Sequence, residues 1–426
     1  MKIYKTFEVA DYLTLLKTRR IFDSDDLDGT VKSILKEVRQ HGDKAVIAFT
    51  KRFDGIDLSS MTISQEKLDS ALASLSAETK SILLQAEKNI RDFHSHQLEK
   101  TWMIEKENGV QLGQKISAIE RVGVYVPGGK AFYPSSLLMN VIPAQVAGCS
   151  EIVVVTPPAK DGNINPVVLA CCKLLGITEI YSIGGAQSVA ALAFGTETIK
   201  AVDMIVGPGN QYVAKAKQLV FGFVKIDSIA GPSEVTIIAD KSADPDHLVI
   251  DLFSQAEHDE TAAVTLITHD KNLSEKVMER IPVLLEQQSR KNIIGKSLES
   301  FGGIILTSSL DESFEVANRI APEHLELAIE NASGYLDKVK HAGAVFLGHF
   351  SPEAVGDYFA GPNHVLPTCG TARFFSPLGV YDFVKRTSII NYTEKQLESV
   401  GEMIAKFADL EQLYAHAESI RIRLKK

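Results

Sequence analysis

Val122-Gly123-Val124-Tyr125-Val126-Pro127-Gly128-Gly129 opens the part of the chain whose reading decides the fold. A run of β-branched and aromatic residues closed by proline and two glycines reads as a strand entering a turn. A helix is expected from Ser135, and the unit then recurs: strand Ile152 to Thr156 with a helix from Pro166, strand Glu179 to Ile183 with a helix from Ala186, strand Met204 to Val206 with a helix from Gln211. A second alternation places strands near Val235 to Ala239, Ala263 to Thr268, Gly303 to Thr307, Leu325 to Ile329 and Ala344 to Leu347. Strands that alternate with helices form βαβ units on a parallel sheet, so the expected class is α/β, with two sheets facing each other across a cleft.

Outside these alternations the patterns differ. Residues up to about Gln97 read mainly as helices, including Thr30 to His41 and Ser76 to His96. A hairpin follows, with Thr101 to Lys106 and Val110 to Ile119 flanking Glu107-Asn108-Gly109, because Asn-Gly supplies the positive φ angles of a tight turn. Helices from Glu394 onward look like an appended small domain.

A chain of 426 residues is long enough for more than one core, and 45% hydrophobic with 23% charged residues is a soluble globular composition. The net charge of -9 and the lack of a long basic run argue against a nucleic-acid surface. Polar residues, proline or glycine interrupt every apolar stretch of membrane-spanning length, and no signal or transit peptide is evident at Met1-Lys2-Ile3-Tyr4. Cys171 and Cys172 are neighbours in an apolar helix, and Cys149 and Cys369 have no paired spacing. They read as small buried hydrophobes in a reducing cytoplasm rather than as a disulfide framework.

Three strand ends carry glycine before a helix: Pro127-Gly128-Gly129, Gly184-Gly185-Ala186-Gln187 and Gly207-Pro208-Gly209-Asn210. Such turns expose backbone N–H groups where phosphate can approach, though glycine also serves any tight turn. The full dinucleotide fingerprint is missing, since Gly207-Pro208-Gly209-Asn210-Gln211-Tyr212 ends in tyrosine, and there is no Walker A run.

The chemistry-bearing residues are dispersed. Asp244-Pro245 starts a helix with an apolar stripe at Leu248, Leu252 and Ala256, which puts Gln255 and His258 one turn apart at its end, on the border between core and solvent. By themselves they fit better a hydrogen-bonded Gln and a helix-end His favoured by the macrodipole than a metal site. The irregular Gly- and Pro-rich segment from Gly348 to Pro377 carries Asp357, His364 and Arg373, and Glu411 and His416 lie in a helical stretch from Asp409 to Leu424. Gln, His, Asp and His together suit zinc, and also manganese or cobalt, although neither HExxH nor CxxC occurs. Glu323 and His324 sit at the turn between the helix Asp311 to Ile320 and the strand from Leu325, where a carboxylate beside an imidazole can divide acid and base work, although the dipeptide alone reads more readily as a solvated turn with two polar residues.

The runs Ile226-Asp227-Ser228-Ile229-Ala230-Gly231-Pro232-Ser233-Glu234, Ser254-Gln255-Ala256-Glu257-His258, Pro322-Glu323-His324-Leu325 and Asn363-His364-Val365-Leu366-Pro367-Thr368 together closely resemble the L-histidinol dehydrogenase family. The resemblance implies a zinc-dependent cytoplasmic homodimer, one zinc ion per subunit, that oxidises L-histidinol to bound L-histidinal and then, after hydration, to L-histidine, with NAD as co-substrate in both steps. Metal ligands would be Gln255, His258, Asp357 and His416, and the catalytic pair Glu323 and His324. Ser233, His364 and Glu411 match substrate contacts, joined by the ligands and His324, and Tyr125, Gln187 and Asn210 match NAD contacts. Phe253 and Glu260 depart from the family's usual leucine and proline without touching a ligand position. The implied fold has two incomplete doubly wound, Rossmann-like domains with small helical flanking domains, and the C-terminal segment exchanged in the dimer. The expected division is an N-terminal helical segment at residues 1–20, a first α/β domain at 21–126 plus 234–376 carrying most catalytic and metal residues, an NAD-binding α/β domain at 127–233, and a C-terminal helical domain at 377–426 serving the partner's site. A zinc-dependent hydrolase and a non-catalytic two-lobed binding protein are the competing expectations.

Overall fold

The computed structural model describes residues 1–19, 25–128 and 132–425, so Gly129 of the first glycine turn lies outside the described residues. Its strands are β1 (Lys2–Lys5), β2 (Trp102–Glu105), β3 (Gln111–Ala118), β4 (Arg121–Tyr125), β5 (Glu151–Val155), β6 (Glu179–Tyr181), β7 (Met204–Val206), β8 (Lys225–Ile226), β9 (Glu234–Ala239), β10 (Ala263–Thr268), β11 (Gly302–Leu306), β12 (His324–Ala328), β13 (Ala344–Leu347) and β14 (Val384–Asn391). Six form a parallel sheet in the order β1-β11-β10-β9-β12-β13, and five a second parallel sheet in the order β6-β5-β4-β7-β8. The expected mixed α/β class with parallel sheets is therefore present.

The central strands of both parallel sheets are covered on both faces, which is why they read as largely apolar runs, whereas the edge strands β1 and β8 do not. All six residues of β9 are buried. Val235 and Ile237 pack with Leu248, Leu252 and Leu266 on one side, while Ile238 joins Ile267, Leu325 and Leu327 on the other. In the five-stranded sheet Val122 and Val124 face Leu137 and Ile142, and Tyr125 and Val155 face Val189 and Leu192. Each such aliphatic side chain contributes roughly 1.5–3 kcal/mol through burial.

The antiparallel sheet, in the order β14-β3-β2, contains the expected hairpin. Asn108 (φ 59°) and Gly109 (φ 76°) supply the positive angles of its turn. Several boundaries differ from expectation. Residues 2–5 form an edge strand beside β11 rather than a helical start. The helices Asp25–Asp54, Gln65–Ser74 and Ala77–Ser95 pack against helices of the five-stranded sheet, not with the six-stranded one. Asp25–Asp54 is itself bent at Gly42, where φ is 51°. The helical stretch expected from Asp409 is two helices, Glu394–Leu410 and Tyr414–Leu424, broken where Gln412 adopts a left-handed φ of 60°.

Candidate functional site

Parallel pairing brings Glu323 and His324 together with the Ser233 loop. His324 opens β12 and stands in register with Val235 of β9, so Glu323-His324 and Ser233-Glu234 lie side by side at the amino ends of their strands. The helix Pro245–Ala256, capped by Asp244, starts beyond the carboxyl end of β9 and runs back antiparallel to it. Its C-terminus, carrying Gln255 and then His258, is thereby returned to the same amino edge, where the helix dipole favours a cation.

Backbone groups of Glu234 hold both members of the pair. Its N–H donates to Glu323 Oε2 at 2.9 Å, and its carbonyl accepts from His324 Nδ1 at 3.1 Å. His324 Nε2 is buried without a hydrogen-bond partner among the described residues. Placing the ring proton on Nδ1, where a carbonyl can accept it, leaves Nε2 as an unprotonated base. Asp357 Oδ1 lies 3.9 Å from that nitrogen. Burial pushes the His324 pKa down to about 3 and pushes Glu323 well above the usual carboxylate range.

Arg19 is the girder behind this arrangement. Its guanidinium donates to the carbonyls of Pro232 at 2.8 Å and Ser233 at 2.7 Å, to Glu234 Oε2 at 2.7 Å, and through Nε to the Thr261 carbonyl at 2.7 Å. It is fully buried, so the pair with Glu234 is shielded from solvent.

One ligand atom each from His258, Glu353 and Asp357 lies within 4.8 Å of the others, a group that fits a divalent ion in charge and donor type. Glu353 and Asp357 share the short helix Glu353–Tyr358. Burial pushes Asp357 up to about 6 and lowers His258, the cost of gathering ionisable groups that a cation would offset. His364 donates Nδ1–H to the Asp357 carbonyl at 3.0 Å, and its Nε2 lies 3.4 Å from Ser136 Oγ. Burial lowers its pKa to about 4, so it too is neutral. A cavity of about 450 Å³ opens onto His324, Asp357 and His364, with Phe346 and Tyr381 on its wall.

The structure thus gathers Gln255, His258, Glu323, His324, Asp357, His364 and the Ser233 segment. It does not bring Glu411 or His416 to this group within one chain: Glu411 is exposed at the turn between the C-terminal helices and His416 is exposed on the second of them. Arg373, noted in the same loop as Asp357, instead caps carbonyls of Asn318 and Arg319. Glu353 and Arg19 were not singled out from sequence; the four-residue spacing of Glu353 from Asp357 was the available signal for the first.

Tyr125, Gln187 and Asn210 occupy the carboxyl edge of the five-stranded sheet. Tyr125 ends β4, and its hydroxyl accepts from Gly185 N–H at 3.3 Å. Gln187 is in the first turn of the helix after β6, with Oε1 buried and unpartnered among the described residues. Asn210 caps the helix after β7, accepting from Tyr212 N–H at 3.0 Å. Because β5 and β7 flank β4, the chain reverses its direction of sheet growth there, and that crevice is where such sheets bind nucleotides.

The sequence model for Histidinol dehydrogenase matches residues 17–424. Histidinol dehydrogenase from Chlorobium chlorochromatii is 50% identical over 425 residues, covering 100% of this chain and 99% of that protein. The Bacillus subtilis histidinol dehydrogenase is 49% identical, covering 99% of each. The crystal structure of histidinol dehydrogenase from Elizabethkingia anophelis superposes with a TM-score of 0.93 at 41% identity, covering 100% of this chain and 98% of that one.

Proposed function

The chain belongs to the histidinol dehydrogenase family, an NAD-dependent oxidoreductase family, and from that premise we propose that it oxidises L-histidinol to L-histidine through bound L-histidinal, with reduction of two NAD. The observation that carries this reading is the unpartnered His324 Nε2, aimed at Asp357 beside the His258 group. Gln255, His258 and Asp357, with His416 from a second subunit, would hold zinc. When bound, the ion supplies positive charge that orients the substrate's imidazole and amine.

The residues divide the work. In the first oxidation His324 Nε2 takes the hydroxyl proton while hydride leaves the carbon that bears that hydroxyl for NAD, and the carbonyl forms. Glu323, held by the Glu234 N–H, then removes a proton from water as it adds to the aldehyde, giving a hydrate from which the second hydride leaves. His364 and Ser233, with Glu411, contact the substrate. The enclosed wall retains the aldehyde between the two steps. NAD would bind at Tyr125, Gln187 and Asn210, as a co-substrate exchanged between the half-reactions.

The wider architecture follows the same reading: two incomplete doubly wound domains, and a dimer whose C-terminal segments are exchanged so that Glu411 and His416 complete the partner's site. Exposed Met403, Phe407, Leu410, Leu413 and Tyr414 support an interface there, since a cluster of this size is rarely left to solvent. The proposed place of the reaction is the final steps of histidine biosynthesis, in the cytoplasm; no helix among the described residues is long and apolar enough to cross a membrane. The test is the yield of NADH per histidinol consumed, with and without a metal chelator. Two NADH per histidinol, lost on chelation, is expected; consumption without NADH would favour a hydrolase and overturn the proposal.

A further inference from the structure

Glu353 stands within reach of the cation site with His258 and Asp357 but is outside the ligand set proposed above, and it is the most enclosed acid among the gathered donors. It is 2% exposed, and its backbone N–H is fixed on Glu326 Oε1 at 2.8 Å. Gln255 beside it is fully buried, so its amide must satisfy itself within the protein. At one end of that amide stand both Glu353 oxygens, the Glu234 carbonyl and, at 3.0 Å, His324 Nδ1. An amide oxygen turned toward them would set lone pairs against three oxygens, and its one donor there would be the Nδ1–H that the Glu234 carbonyl already accepts. With Nε2 turned toward them, Gln255 donates to Glu353 at 3.1 and 3.3 Å and approaches the Glu234 carbonyl at 3.2 Å.

The two ends of a glutamine amide are nearly identical in shape and opposite in function, since only the oxygen can coordinate a cation. A glutamine ligand therefore needs a partner that recognises its nitrogen. We propose that Glu353 is the positioning residue for Gln255: it fixes the amide nitrogen and thereby commits Oε1 to the metal, without being a ligand itself. Protonated or ionised, Glu353 keeps at least one accepting oxygen, so the role survives either state. This inference rests on the reading of Gln255 and His258 as metal ligands.

The test uses zinc alone as the probe, competed against a chromophoric chelator, in the full-length wild type, Gln255→Ala, Glu353→Met and the double variant. Glu353→Met keeps the side-chain length and removes the acceptor; it should weaken zinc binding about 10- to 100-fold, as loss of a group that orients a ligand does. In the Gln255→Ala background the same change should alter affinity by less than about twofold, because Glu353 then has nothing to orient. Glu353→Gln, which retains an accepting oxygen, should bind zinc close to wild type. Should Glu353→Met fail to fold, Glu353→Asp, with the carboxyl withdrawn by one methylene, carries the same cycle. Unchanged affinity in Glu353→Met, equal loss in Glu353→Gln, or a full further loss in the Gln255→Ala background would each overturn the proposal, the last by making Glu353 a ligand. Wild-type affinity in both Gln255→Ala and His258→Ala would instead remove the ligand reading beneath it.

Discussion

Replacing Arg19 by alanine should unsettle Glu323 and His324, the proposed catalytic pair, from a distance. The guanidinium is fully buried and donates to three carbonyls and to Glu234, itself almost wholly buried. Removing one partner of such a pair leaves an uncompensated charge, at a cost of about 3–5 kcal/mol. The backbone freed by the change, Pro232 to Glu234, is the one that holds Glu323 by its N–H and His324 by its carbonyl. A displacement of about 1 Å at reacting groups costs roughly 100-fold in rate, so kcat should fall by about 10- to 100-fold in both half-reactions, more than KM rises. Urea unfolding at fixed protein concentration measures the first quantity, and steady-state NADH formation the second. Arg19→Ala with Glu234→Gln should lose less stability than the sum of the single changes, because no buried charge is left alone. An Arg19→Ala enzyme within about 1 kcal/mol of wild type and with unchanged kcat would refute the reasoning.

Glu323→Gln should slow oxidation of supplied histidinal by about 100- to 10,000-fold and spare the first oxidation, while His324→Ala should do the reverse; equal damage to both steps by both changes would end this division of labour. Burial pushes Cys149, Cys171 and Cys369 up to about 12 and Cys172 up as well, so the thiols are neutral at pH 8. Alkylation of the native enzyme should accordingly be slow until it unfolds, and rapid stoichiometric labelling of the folded form would contradict the burial. Burial beside Asp251 raises Glu326 to about 8, so between its ordinary value near 4.5 and pH 8 the folded state retains a proton that the unfolded chain has released. Stability of the metal-free protein should thus fall as pH rises through that window, and Glu326→Gln should flatten the slope; parallel denaturation profiles for the two proteins would reject the assignment.

The sheets were legible where burial on both faces made the strands continuous. β9 and β10, buried throughout, and the half-buried apolar run of β13 needed no tertiary context, because so few mostly apolar residues between turns leave few alternatives. β14 escaped because Lys385, Arg386, Thr387 and Ser388 are exposed and show no alternation; its strand character comes from pairing with β3, far away in sequence. β1 is short and gains its place only as the edge partner of β11. For the site, residue type and local spacing revealed Gln255 with His258 and Glu323 with His324. They did not reveal that these residues meet at the amino edge of the six-stranded sheet, because the register of β12 on β9 joins segments some ninety positions apart. Arg19 was hidden for the same reason, since nothing near it in sequence announces carbonyls more than two hundred residues away. Glu353 lay in a segment whose glycine and proline content suggested irregular loop, and a helix of only six residues there was enough to align it with Asp357.

The central claim is that one chain supplies Gln255, His258 and Asp357 while His416 of the partner subunit completes the set. Mixing His258→Ala and His416→Ala chains, unfolding and refolding them together, and assaying NAD reduction tests it directly, with heterodimers confirmed by a mass tag. If His416 serves the partner, a heterodimer concentrates both defects in one site and leaves the other intact. Random reassociation of equal amounts should then restore about a quarter of wild-type activity. Confirmed heterodimers that remain inactive would contradict the shared site.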